Sequence, residues 1–129
     1  MFRKVIIWPN EKLRKTNESI ENVESVQDLI EDLIDTCNVQ MGAGLAAPQI
    51  GVNKKVCVIK PSSFGIENPD PSEYNSDYMV LINPVLENTG DEIKWKEACL
   101  SLPEIDGQVT RFETTLVKYK NDKGEDRRF

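Results

Sequence analysis

Three cysteines, one glutamine inside an apolar run and a complete lack of histidine decide which chemistry these 129 residues can carry. Cys99 lies in Glu97-Ala98-Cys99-Leu100-Ser101-Leu102-Pro103, at the end of an apolar-alternating stretch and beside turn residues. It is the least core-like of the three thiols. An accessible thiol can act as a nucleophile or a metal ligand once it becomes a thiolate, and on position alone a structural role stays open as well. Gln49 lies in Gly42-Ala43-Gly44-Leu45-Ala46-Ala47-Pro48-Gln49-Ile50-Gly51. A primary amide donates hydrogen bonds without titrating, which suits it to meeting negative charge. The small residues around it could also serve only to pack a helix closely on a sheet, but that would not explain the glutamine. A phosphate loop is excluded. No Lys-Ser/Thr follows the last glycine, and this Gly-x-Gly follows a helical pattern and precedes a strand, the reverse of a dinucleotide fingerprint. Without histidine the chain cannot build a Ser-His-Asp triad, a Cys-His dyad or a His-ligated metal site by itself. Glu97, Glu104 and Asp106 lie near Cys99, but one thiolate with scattered carboxylates is not a recognised metal geometry.

Several elements must position these residues. Val26, Leu29, Ile30, Leu33, Ile34, Cys37 and Met41 recur at helical spacing, which predicts a helix over about 24–41 with one apolar stripe. Ser25 is the expected N-cap. Gly42 and Gly44 supply the stop, and Cys37 is expected in the core. Lys55 to Lys60 reads as a short buried strand with Cys57 as a second core thiol. Pro61 to Tyr78 reads as a long loop. Strands are expected at Met79–Ile82, Val85–Asn88, Glu92–Leu100 and about 108–120, with Thr89-Gly90-Asp91 as a turn. Ile93, Trp95 and Glu97 would share a face. Asn121-Asp122-Lys123-Gly124 is a good turn into a returning strand. At the other end, the apolar Val5-Ile6-Ile7 stops at Pro9, and Leu13 is expected to anchor that segment to the core.

The charge balance is 16 Lys+Arg against 22 Asp+Glu, a net of -6. That opposes sequence-independent nucleic-acid binding, and no direct DNA binding is expected. No apolar run approaches the roughly 18 residues of a membrane span, and the first residues are too short for a signal peptide. Widely spaced cysteines without a C-x-x-C pair fit reduced thiols, so the cytoplasm is the expected compartment.

Taken together, the two segments are similar to one family. Gly42 to Gln49 resembles the G-x-G-x-A-A-x-Q motif of peptide deformylases, and Glu97 to Ser101 resembles their E-G-C-L-S motif. Trp8 to Arg14 is similar to the family's early Pro-Asp-Pro-x-Leu-Arg segment, and Leu81-Ile82-Asn83-Pro84 to its Leu-Ile-Asn-Pro strand end. The resemblance implies a metal hydrolase that removes the N-formyl group from the N-terminal methionine of new polypeptides. It implies Cys99 as a metal ligand, with Fe(II), Zn(II) or Ni(II) as the metal. It implies that Gln49 and the backbone N–H of Leu100 stabilise the oxyanion. Ala43, Gly44 and Glu97 are the expected substrate contacts, and N-formylated nascent peptides near the ribosome the expected partners.

Two departures accompany the resemblance. Ala98 replaces a glycine, which would cost about 1–2 kcal/mol if the position needs φ > 0. The family's third motif, H-E-x-x-H on a C-terminal helix, has no counterpart, so two metal ligands and the general base are missing from these residues. The expected fold is α+β: mixed, mostly antiparallel short-stranded sheets packed around a helix, in one domain over 1–129 that is C-terminally incomplete. The alternative function is a catalytically inactive, deformylase-like peptide-binding protein.

Overall fold

The apolar stripe of residues 26–37 does form the helix that organises the fold. In a computed structural model of the chain, which describes residues 1–66, 74–75 and 77–129, α1 spans Gln27–Val39. Val26, Ile30, Leu33, Ile34 and Cys37 are buried along it. Each such side chain contributes about 1.5–3 kcal/mol by leaving water. The helix is shorter than its periodicity predicts. A 3-10 turn at Val23–Val26 precedes it, capped by Asn22, whose side chain accepts from the Glu24 N–H. The N-cap of α1 itself is Val26, without a side-chain cap bond, and not Ser25. Ser25 instead donates to the Asn22 carbonyl. At the other end Met41 leaves the helix with φ 52° and is 92% exposed, so it ends the helix rather than extending the stripe.

The chain then enters a sheet. Strand β1 is Gly44–Ala46, followed by a 3-10 turn at Ala47–Ile50 and by β2 at Val56–Ile59. β3 is Tyr74–Asn75, β4 Tyr78–Cys99, β5 Leu102–Lys120 and β6 Asp126–Arg128. The order is β1-β2-β4-β5-β6, with β3 on β4, and all pairings are antiparallel. One face packs on α1 through Leu45, Val56, Val58, Val80 and Ile82. The opposite face carries Met79, Leu81, Val117 and Tyr119, where Tyr119 meets Phe129 edge-on at 5.8 Å. Cys57 lies on that second face and is half-buried, rather than in the core under the helix.

The strands expected at 79–82, 85–88 and 92–100 are one strand. Thr89-Gly90-Asp91 is not a turn but a register shift inside β4, with Gly90 at φ 84°. A second shift falls between Ile82 and Val85, at Pro84, where a residue without an N–H interrupts the ladder. β5 likewise begins at Leu102, well before Gln108. The result is a long antiparallel arm whose outer part is exposed on both faces. Asn121 to Gly124 turns the chain into β6 as expected, with the buried Asn121 accepting from the Lys123 and Glu125 N–H groups. Of the loop expected at 61–78, Pro61–Phe64 is a 3-10 turn, and residues 67–73 and 76 lie outside the described residues. No helix among the described residues is long and apolar enough to cross a membrane.

Candidate functional site

Gln49 and Cys99 are fifty residues apart and meet where the 3-10 turn after β1 faces the tip of the β4–β5 arm. Gln49 occupies the last turn before Gly51, whose φ of 84° reverses the chain. The Ala46 N–H donates to Gln49 Oε1 at 2.9 Å, so the side chain caps its own turn. That explains a polar residue in an apolar run. It also turns Nε2 toward the arm, where Cys99 Sγ lies at 3.5 Å. Cys99 ends β4 and is exposed. Leu100 and Ser101 form the tip, because Cys99 pairs with Leu102.

Small residues allow this approach. A Cβ on Gly42 would stand 2.9 Å from Leu100 Cδ1, so the first motif touches the second at Leu100 as well. A Cβ on Gly44 would stand 3.0 Å from the Val58 carbonyl oxygen, which fixes how closely β1 lies on β2. Ala43 is exposed, and its carbonyl accepts from the Lys60 N–H at 2.8 Å. Ala98 does not fall among the residues with positive φ, so its replacement of glycine costs no backbone strain. Strain appears instead at Glu104, with φ 60°, inside the bulge that follows the tip.

Glu97 stands two residues before Cys99, and Arg111 grips both its oxygens, at 2.6 and 2.7 Å. The guanidinium hydrogen bonds hold the Glu97 carboxyl below its ordinary pKa. Glu97 therefore braces the arm and does not join the Gln49–Cys99 contact. Asp106 pairs with Lys96. Buried Cys37 lies under the first motif, its Sγ 3.3 Å from the Gly42 carbonyl oxygen, and burial pushes that thiol up. Sequence reasoning passed over two further participants. Ser101 Oγ accepts from Gln49 Nε2 at 3.2 Å. The N-terminal segment reaches both motifs, with the Ile6 N–H on the Gln49 carbonyl and the Trp8 N–H on the Ser101 carbonyl. The clue to Ser101 was a hydroxyl between two leucines; the backbone bonds left no signal in side-chain type.

As a metal donor set, these residues fit in part. Cys99 offers an accessible sulfur of the right softness for Zn(II) or Fe(II). Among the described residues, however, no three Cys, Asp or Glu side chains gather to hold an ion.

Solved structures share this shape. A peptide deformylase from Legionella pneumophila superposes with TM-score 0.83 at 34% identity, covering 100% of this chain and 71% of that one. One from Ehrlichia chaffeensis gives 0.85 at 27% identity, covering 100% and 74%. The fold is thus that of the α+β deformylase class. Sequence comparison agrees. The peptide deformylase of Aquifex aeolicus is 40% identical over 126 residues, 97% of this chain and 70% of that protein. That of Brachyspira hyodysenteriae is 37% identical over 128 residues, 98% and 66%. The family model for polypeptide deformylase matches residues 2–129, and the chain belongs to that family. It spans about two thirds of the length of these curated relatives.

Proposed function

We propose that the protein is a metal-dependent amide hydrolase that removes the formyl group from the N-terminal methionine of newly made polypeptides. The observation that carries this reading is the amide of Gln49, locked by the Ala46 N–H and aimed at Cys99 Sγ 3.5 Å away. Formamide hydrolysis passes through a tetrahedral oxyanion. Gln49 Nε2–H and the backbone N–H of Leu100 would be the two donors that receive that charge, and one such donor is worth about 3 kcal/mol. Cys99 would hold the metal. The chemistry a bound Fe(II), Zn(II) or Ni(II) supplies is polarisation of the carbonyl and activation of water near neutral pH.

The reading also requires two more donors and a general base. The family's H-E-x-x-H motif, which would supply them, has no counterpart among these 129 residues, which contain no histidine. The peptide itself would lie along β1. That strand pairs with β2 on one side, and its other edge is open among the described residues, so Gly44 offers backbone for an added strand while the Ala43 carbonyl is already held by the Lys60 N–H. Glu97, whose carboxylate Arg111 holds within the arm, would be a further contact for the peptide. A nascent-chain substrate fits a cytoplasmic protein that works near the ribosome.

The test is formate release from a formyl-methionyl peptide, with metal content measured in parallel. Gln49→Ala should keep metal and lower kcat by about 10²–10³. Cys99→Ser should lose metal and activity together. Unchanged metal and rate in Cys99→Ser would reject the ligand assignment. Peptide binding without metal or turnover in the parent protein would mean that it acts as a binding protein.

A further inference from the structure

A primary amide carries two N–H donors and one carbonyl oxygen, so its use to an oxyanion depends on which way the group faces and how firmly it is held. The Ala46 N–H fixes the carbonyl end of Gln49. The amino end then has two neighbours, Ser101 Oγ at 3.2 Å and Cys99 Sγ at 3.5 Å. Ser101 is 3% exposed, a buried hydroxyl at the tip of an otherwise exposed arm. Its distance to Gln49 is set by backbone. The Ile6 N–H donates to the Gln49 carbonyl at 2.8 Å and the Trp8 N–H to the Ser101 carbonyl at 2.9 Å. The N–H groups of residues 6 and 8 thus reach both motifs from one short segment. One strap therefore ties the turn carrying the amide and the tip carrying the hydroxyl to a common spacing.

We propose that Ser101 is a positioning residue for Gln49. Its hydroxyl oxygen accepts a hydrogen bond from one Nε2–H and thereby aims the other at the space beside Cys99 Sγ, where a substrate carbonyl oxygen would lie. The proposal rests on the deformylase reading for its consequence in catalysis, but its structural content stands apart from that reading.

The experiment follows the Gln49 side-chain amide by NMR in the 15N-labelled protein, with Gln49→Ala used to assign the signal. In Ser101→Ala, exchange of the Gln49 side-chain protons with solvent should become about tenfold faster, the effect of one lost hydrogen bond. The Ile6 and Trp8 backbone amides should keep their protection. Ser101→Thr, which keeps the hydroxyl, should exchange as the parent does. With metal loaded, kcat of Ser101→Ala should fall about 10- to 100-fold at unchanged KM, the scale of a misplaced group, and Ser101→Thr should recover it. Equal Gln49 exchange in Ser101→Ala and the parent overturns the proposal. If Ser101→Ala disturbs the strap, fast Gln49 exchange in Ser101→Thr overturns it instead. Equal turnover by the parent and Gln49→Ala would sink the oxyanion reading of Gln49, while the exchange data would still decide what holds the amide.

Discussion

At the scale of single residues, the site depends on what is left out as much as on what is present. Gly44 shows this. A methyl group there would lie 3.0 Å from the Val58 carbonyl oxygen, and the obstacle is backbone, which cannot rotate away. Gly44→Ala should therefore push β1 off β2 and cost about 1–3 kcal/mol, the usual scale of overpacking. Urea denaturation would measure it. Gly42→Ala meets the end of the flexible Leu100 side chain first, and should cost less. Equal losses for the two variants would mean that the close approach of β1 to β2 is not what selects glycine at 44. At this scale much was legible in the sequence. Gln49 stood out as polar among apolar neighbours, and Cys99 as a thiol beside turn residues. What could not be read was their distance, which is set by a strap of backbone bonds from Ile6 and Trp8. The end of the helical stripe was misread for a related reason. Met41 fits the period but falls after the last helical turn.

At the scale of elements, the arm differs from the rest of the sheet. Near its root, β4 packs between two apolar clusters, with Val80 and Ile82 on one face and Met79 and Leu81 on the other. Beyond Asn88 both faces are exposed, and what holds the strands is cross-strand pairing, including the Glu97–Arg111 fork. Exposed ion pairs contribute about 0–1 kcal/mol, so this cannot replace a core. Ladder amides from 92 to 98 and from 107 to 112 should exchange with solvent much faster than those of 79–82. Hydrogen-exchange mass spectrometry reads the difference. Equal protection along β4 would show that something covers the arm. The sequence concealed this element because its punctuation was ambiguous. Gly90 and Pro84 are turn residues by type, yet here each lies at a register shift. Whether such a residue ends a strand or bends it depends on the partner strand, which local pattern does not reveal.

At the scale of the whole molecule, the two faces of the sheet predict how the protein responds to alkali. Burial pushes the Tyr78 hydroxyl up to about 12, helped by its hydrogen bond with Cys37 and the charges of Cys37 and Asp77. Burial also pushes the Cys57 thiol up to about 11. Tyr78 belongs to the cluster under α1 and Cys57 to the opposite face, so the two sample both sides of one sheet. The sign follows from proton counting. In the unfolded chain the thiol titrates near 9 and the phenol near 10. Above those values the unfolded state releases protons that the folded state retains, so it binds fewer, and stability falls as pH rises. The stabilisation is complete below about pH 8, where neither state has ionised, and is lost on the way up to pH 12. Denaturation midpoints measured from pH 7 to 12 should decline through that window. Tyr78→Phe and Cys57→Ala should each flatten the decline, whatever they do to stability at neutral pH. Because the two groups lie on opposite faces, their effects on the slope should add. A slope unchanged by both substitutions would place the alkaline transition elsewhere in the molecule.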